Sequence, residues 1–247
     1  MTNTAGRGIA GWRHTPATTW KDDPLRPSFP AVAALAAAAA LVAGCGSGDD
    51  WSRPHPRPSA VGALGPGFVD PAAPPAPEAT ATPQPGSWDH VRPSEGYRVV
   101  LLTAGRDRPT AALVAAVKDW AAAEHVGLRT VTADGTADLL PSATRALDMH
   151  PDLIVSAGND LIDPLATVTP NHLSQQFLVV GAELAEPTAN VTAVDWSGAS
   201  FRGEGLGMSS TYDPASFTTE RCAASIRAGV AAVLNDLTGI VLWLDRV

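Results

Sequence analysis

The fold is decided by the stretch Tyr97-Arg-Val-Val-Leu-Leu-Thr103 and by the helical pattern that follows it from Pro109 to Glu124. The stretch is a short, continuous apolar run, which is typical of a strand buried on both faces. The pattern carries Leu113, Val117 and Trp120 at the spacing of a helix with one buried side. A strand followed at once by a helix predicts a crossover connection, and therefore a parallel sheet.

The same alternation continues to the end of the chain. Further apolar runs predict five more strands, and the segments between them predict three more helices, the middle one weakened by two prolines. We therefore predict an α/β domain over residues 96–247, with one doubly wound, mainly parallel sheet of the flavodoxin-like kind. The predicted strands are 128–132, 152–156, 177–180, 190–195 and 240–244, and the helices are 137–149, 161–173 and 217–236.

A signal segment is predicted upstream of this domain. Residues 31–44 are uncharged, small or apolar, and they end in Val42-Ala-Gly-Cys45, which resembles a bacterial lipobox. Fourteen residues suit the core of a signal peptide and fall short of the ~17–25 that a membrane-spanning helix needs. We expect residues 1–44 to be a signal region and Cys45 to carry the lipid, which anchors the protein to the extracytoplasmic face of the cell membrane.

Residues 45–95 are rich in proline. Eleven of the 22 prolines lie between Gly46 and Glu95. Proline removes backbone donors and favours extended conformations, so this composition predicts a disordered spacer rather than a domain.

The charge of the chain excludes one class of function. Without residues 1–44 the chain keeps 13 basic and 23 acidic residues, which is a net charge of −10. Binding to nucleic acid requires clustered Lys and Arg that neutralise phosphates, and the sequence has no basic run. The same charge predicts that membrane attachment depends on the acyl chains.

Polar residues follow several of the predicted strands. In a doubly wound sheet, ligands bind at the carboxyl ends of the strands, close to helix amino termini. Gly, Asn and Asp are also common turn residues for backbone reasons, so a purely structural role stays open. The predicted ligand-binding residues are Thr103, Arg106, Asp107, Asn159, Asp160, Glu183, Asp195, Trp196 and Ser197.

Signatures of the common enzyme classes are absent from the sequence. It contains no Gly-x-Ser-x-Gly, His-Glu-x-x-His or Gly-x-x-x-x-Gly-Lys-Ser/Thr motif, so we expect no catalysis, no cofactor and no metal site. A minor alternative is an enzyme that uses Asp107, Asp160 or Asp195 as an acid or base. Cys222 lies in an Ala-rich helical pattern, which favours a buried thiol over a reactive one.

Four segments carry a family resemblance over roughly residues 97–195. They resemble the first lobe of type I periplasmic binding proteins, nearest to the basic membrane protein lipoproteins, and the Ala- and Pro-rich composition is similar to that of high-GC actinobacteria. The resemblance implies a substrate-binding component of an ABC importer, several of which take nucleosides. Proteins of that family close two lobes on the ligand, whereas we expect a single lobe in this chain. The segments are 97–105, 150–158, 177–181 and 190–194.

Two functional hypotheses follow. The first is a membrane-anchored binding lipoprotein that captures a small polar solute, or that serves an ABC permease as an accessory. The second is a non-catalytic envelope protein that docks a protein partner, or forms a homodimer, through the same lobe.

Overall fold

One large sheet organises the structure. The computed structural model describes residues 51–199 and 211–247. The helices are α1 (Arg108–Ala123), α2 (Leu139–Asp148), α3 (Ile162–Val168) and α4 (Thr219–Leu234). The strands are β1 (Ala60–Val61), β2 (Thr80–Ala81), β3 (Arg92–Pro93), β4 (Arg98–Ala104), β5 (Gly127–Ala133), β6 (Leu153–Ala157), β7 (Gln176–Val180), β8 (Val191–Asp195) and β9 (Val241–Trp243).

Seven of these strands form a parallel sheet in the order β2-β9-β8-β7-β6-β4-β5. The chain passes from β4 to β5 on one side and then crosses back over β4 to β6, so the strand order reverses between β4 and β6. The remaining two strands, β1 and β3, form a small antiparallel pair. The predicted doubly wound, mainly parallel α/β fold is therefore confirmed.

Helices cover the two faces of the sheet. Along β4, Val99 and Leu101 join a core that includes residues of α1 and α4, whereas Val100 and Leu102 join a core that includes residues of α2 and α3. All four of these side chains are fully buried. The continuous apolar run of β4 thus reflects burial on both faces.

The proline-rich segment differs from its prediction. Residues 51–95 are folded onto the domain, and β2 extends the sheet by pairing with β9. The segment folds onto the domain because it contains aromatic side chains that become buried, namely Trp51, Phe68 and Trp88. Phe68 and Trp88 meet edge to face, with ring centroids 6.5 Å apart. Prolines are compatible with this arrangement because none of them lies within β2, which is Thr80-Ala81.

Two other predicted features, the signal region 1–44 and the lipidated Cys45, lie outside the described residues. Residues 200–210 lie outside them as well. Within the described ranges, no helix is both long and apolar enough to cross a membrane.

Candidate functional site

A small hollow lies where the strand order reverses. It opens between the carboxyl ends of β4 and β6, next to the end of β7, and its volume is about 70 Å³. This is the position at which open α/β sheets bind ligands, because the two neighbouring connections leave in opposite directions. The hollow is lined by Ala104, Asp107, Pro109, Thr110, Leu113, Gly158, Asn159, Asp160, Val180, Gly181, Ala182, Tyr212 and Phe217.

Asp107 links the hollow to the start of α1. Its side chain caps the helix, accepting hydrogen bonds from the Thr110 amide at 3.0 Å and the Thr110 hydroxyl at 2.8 Å. Partial burial alone would raise the pKa of Asp107, but these hydrogen bonds outweigh it and hold that pKa below its ordinary value. Asp107 therefore presents a negative charge to the hollow at neutral pH.

Two glycines permit the close packing around the hollow. Gly158 has φ +121°, and a Cβ at this position would collide with the carbonyl oxygen of Ala104. Gly181 has φ +75°, and a Cβ there would lie 2.6 Å from a ring carbon of Phe217. Both positions therefore require glycine, because other residues are strained at these angles and have no room.

Aromatic rings form one wall of the hollow. Tyr212 and Phe217 lie with their ring centroids 6.1 Å apart, and Phe217 packs edge to face on Trp196 at 5.0 Å. Tyr212 is 47% exposed, so part of its ring faces solvent. Partial burial and the negative charge of Asp107 raise the pKa of Tyr212, which keeps its hydroxyl protonated.

Only three of the nine predicted ligand residues line the hollow: Asp107, Asn159 and Asp160. All three are exposed. Arg106 is also exposed, but it lies outside the hollow. Thr103 is buried in β4, and its hydroxyl has no hydrogen-bond partner among the described residues.

Glu183 and Asp195 lie instead in a buried cluster at the ends of β7 and β8. They are 4% and 1% exposed and share a hydrogen bond between their carboxyl groups. Burial raises the pKa of Asp195 to about 8, with a further contribution from the charge of Glu183, and burial also raises the pKa of Glu183. The pair therefore retains a proton at neutral pH, as close carboxyl groups do.

The two residues after Asp195 make hydrogen bonds that stabilise the chain at the end of β8. The Trp196 amide donates to Asp195 Oδ1 at 2.9 Å, and its indole Nε1 donates to Ser216 Oγ at 3.0 Å. Ser197 donates from its amide and its hydroxyl to Asp245, at 2.8 and 3.0 Å. The predicted site residues Trp196 and Ser197 are thus engaged in contacts within the protein.

The sequence did not identify the aromatic wall. Tyr212 and Phe217 are distant in sequence from the strand ends, and they precede α4 rather than following a strand. The only available signal was a pair of aromatics in a polar loop. The described residues also form three larger open concavities of about 720–860 Å³, of which two lie at the amino end of the sheet and one in the proline-rich segment.

The side chains that line the hollow define which contacts it can make with a ligand. Within the described residues, no group of three or more His, Cys, Asp or Glu side chains is arranged to hold a metal ion. The hollow combines carboxylates, a side-chain amide and aromatic rings, so it can accept hydrogen bonds from a ligand and contact its apolar surface.

No protein-family model matches the chain, and no curated protein matches it. Solved structures do show similarity. An ABC transporter solute-binding protein from Aeropyrum pernix K1 is 21% identical with a TM-score of 0.37, over 41% of this chain and 29% of that protein. A fragment of a "putative lipoprotein" from Peptoclostridium difficile 630 is 16% identical with a TM-score of 0.40, over 57% of this chain and 99% of the fragment.

A third structure is an ABC transporter solute-binding protein from Bradyrhizobium sp. BTAi1 with bound Bis-Tris. It is 14% identical with a TM-score of 0.29, over 78% of this chain and 61% of that protein. The chain thus spans less than a third of the Aeropyrum protein and less than two thirds of the Bradyrhizobium protein. It is a doubly wound α/β protein, and the solved structures to which it is similar include solute-binding proteins of ABC transporters.

Proposed function

We propose that this chain is a non-catalytic binding lipoprotein, anchored through a lipid on Cys45 to the extracytoplasmic face of the cell membrane, whose single lobe binds a small polar solute. The observation that carries this proposal is the hollow at the reversal of strand order, lined by Asp107, Asn159 and Asp160. An accessory role beside an ABC permease belongs to the same proposal.

The lining indicates the kind of ligand. Asp107 is ionised, Asp160 contributes a second carboxyl group, and Tyr212 offers an aromatic face. A group that donates hydrogen bonds satisfies these acceptors, and a positive charge is further favoured by the carboxylates and the aromatic ring. The proposed ligand therefore presents hydroxyl groups or an ammonium group to the hollow.

The size of the hollow limits how much of the ligand it holds. A volume of about 70 Å³ is far below the ~300–1,000 Å³ of sites for small molecules, and it suits one end of a ligand. The remainder of the ligand requires a second surface. A second copy of the chain or a protein partner would supply it, which gives the alternative proposal of an envelope protein that docks or dimerises through this lobe.

The test is a thermal-shift screen of the full chain against amino acids, amines, sugars and nucleosides, with light scattering to measure the oligomeric state. A ligand that binds only the native state raises Tm in proportion to its excess over Kd. We expect amines or polyols to raise the Tm, and anionic solutes to leave it unchanged.

Two variants separate the charge of the site from its structure. Asp160→Asn removes one exposed carboxylate. Asp107→Ser removes the other and keeps a side chain that caps helices. Both should weaken the ligand-induced shift, whereas Asp134→Asn, an exposed carboxylate outside the lining, should not. If no solute shifts the melt and the chain is a stable dimer, solute binding is refuted and the docking alternative is favoured.

A further inference from the structure

The amino end of the sheet carries a run of chain that we call the basal segment, residues 51–61. Trp51 is buried beneath two arginines, with the guanidinium carbon of Arg129 4.4 Å and that of Arg98 5.9 Å from its ring centroid. Arg98 also donates to the backbone oxygens of Trp51 at 3.2 Å and Arg53 at 3.0 Å. Since Arg98 and Arg129 lie in β4 and β5, these contacts fix the start of the segment to the sheet.

A second contact fixes the middle of the basal segment. His55 Nε2 lies 2.8 and 2.9 Å from the two carboxylate oxygens of Asp152. Asp152 directly precedes β6 and also accepts a hydrogen bond from the Arg98 amide at 2.8 Å. The segment then enters β1, which pairs with β3. The basal segment is therefore held at several points along the amino ends of the strands.

These contacts shorten the connection to the proposed lipid. Trp51 is six residues after Cys45, so the fully extended chain between them spans at most about 20 Å. If the chain were free until Tyr97, 52 residues after Cys45, an extended proline-rich spacer would reach about 160 Å. The domain is therefore held close to the bilayer.

The attachment point also sets the orientation. From its first to its last Cα atom, β4 (Arg98–Ala104) spans about 20 Å at ~3.3 Å per residue. An inverted domain would need its amino end at least that far above the bilayer, which the connection reaches only when it is fully extended. The basal segment contains Arg53 and Arg57 and no acidic residue, although the whole chain has a net charge of −8. Arg57 lies 4.0 Å from Asp236, so part of this charge is balanced at the same surface, and the orientation is inferred from the short connection.

We propose that the amino end of the sheet, with the basal segment, is the membrane-facing surface of the protein, and that its partner is the phospholipid surface. The hollow at the carboxyl end of the sheet then faces away from the membrane. This inference rests on the lipidation of Cys45 in the proposed function, and it does not depend on the identity of the solute.

The test compares two spin labels on the lipidated full chain, bound to vesicles of phosphatidylcholine and phosphatidylglycerol that contain a nickel-chelating lipid. Ser174→Cys places a label at the amino end of the sheet and Ala137→Cys places one at the carboxyl end; both positions are exposed. The lipid occupies the thiol of Cys45, and Cys222 is buried. We expect relaxation by nickel to be several-fold stronger at position 174.

The control is an insertion of a flexible Gly/Ser linker of about 20 residues between Asp50 and Trp51, which adds about 25 Å of root-mean-square reach. It leaves the contacts of the basal segment intact and should bring the two labels to similar relaxation. His55→Ala, which removes the contact with Asp152, should weaken the difference without an insertion, and circular dichroism would confirm that it folds.

Equal relaxation of the two labels without the insertion would overturn the proposal. An insertion that leaves the difference unchanged would show that the amino end of the sheet binds the phospholipid surface by itself, without help from the short connection, and would support the proposal. Failure of the chain to partition into detergent or vesicles, with no difference from Cys45→Ser, would refute both the lipid anchor and this orientation. A positive solute screen alongside equal relaxation would refute the orientation alone, because solute binding is measured separately.

Discussion

Replacing Asp195 by Asn should remove most of the pH dependence of stability between pH 5 and 8. Burial raises the pKa of Asp195 from 3.8 to about 8 in the folded protein. Between these values the folded state holds a proton that the unfolded state has lost, so the free energy of unfolding falls as the pH rises. This stabilisation is fully present below pH 3.8 and is lost by about pH 8.

The magnitude follows from the size of the shift. Each pKa unit corresponds to about 1.4 kcal/mol, so the three pH units from 5 to 8 set a ceiling of about 4 kcal/mol. The amide of asparagine is neutral at every pH, and it keeps an oxygen for the Trp196 amide and an N–H group for Glu183. The variant should therefore lose the part of the slope that Asp195 contributes and keep the part that Glu183 contributes, because burial also raises the pKa of Glu183. It should equal or exceed the unaltered protein in stability at pH 8.

The assay is urea unfolding of the full chain at pH 5, 6, 7 and 8, with Asp160→Asn as the control because that carboxyl group is exposed. Asp107 and Asp245 have lowered pKa values, so their contributions vary below this pH range. An Asp195→Asn protein whose unfolding free energy falls with pH as steeply as that of the unaltered chain would refute the reasoning.

Two further predictions concern packing. Gly181→Ala should lower the unfolding free energy by about 1–3 kcal/mol more than Gly96→Ala, because both sites have positive φ but only the methyl group at 181 meets Phe217; equal losses in urea melts would argue against the contact. Trp88→Ala should cost about 3–5 kcal/mol, since Trp88 is buried against Phe68. A loss no larger than that of Leu173→Ala, at a site 61% exposed, would show that the proline-rich segment contributes nothing to the fold.

The sheet was predictable because its signals are local. Strands such as β4 and β6 are continuous apolar runs. Helix α1 follows Asp107, which caps it, and has Pro109 in its first turn. The short β2 was not predictable from Thr80-Ala81, because two residues between prolines carry no periodicity. Its partner lies 161 residues away in the sequence, in β9, where Val241 pairs with Thr80.

The fold of the proline-rich segment had one usable signal. A disordered spacer has few aromatic residues. The proline-rich segment of this chain, by contrast, contains Trp51, Phe68 and Trp88. Proline content alone therefore led to the wrong prediction for residues 51–95. The proline content describes the local backbone of this segment. It does not report tertiary contacts, and these contacts fold the segment onto the domain.

The candidate site was predictable only in part. The rule for strand ends placed Asp107, Asn159 and Asp160 together, because the carboxyl ends of parallel strands meet. It could not separate them from Glu183 and Asp195, which follow strands equally closely but are buried. The distinction depends on how the chain turns after each strand, and sequence patterns do not fix that direction.

The pairing of β2 with β9 has a consequence for solubility. β9 consists of Val241-Leu-Trp243, and without β2 its outer side would offer unpaired backbone groups beside large apolar side chains. Such an edge accepts strands from other molecules and promotes aggregation. Two residues from a proline-rich stretch, which itself resists further strand addition, close that edge. A shortened chain that begins at Tyr97 would expose this edge of β9 and should aggregate more readily than the full chain.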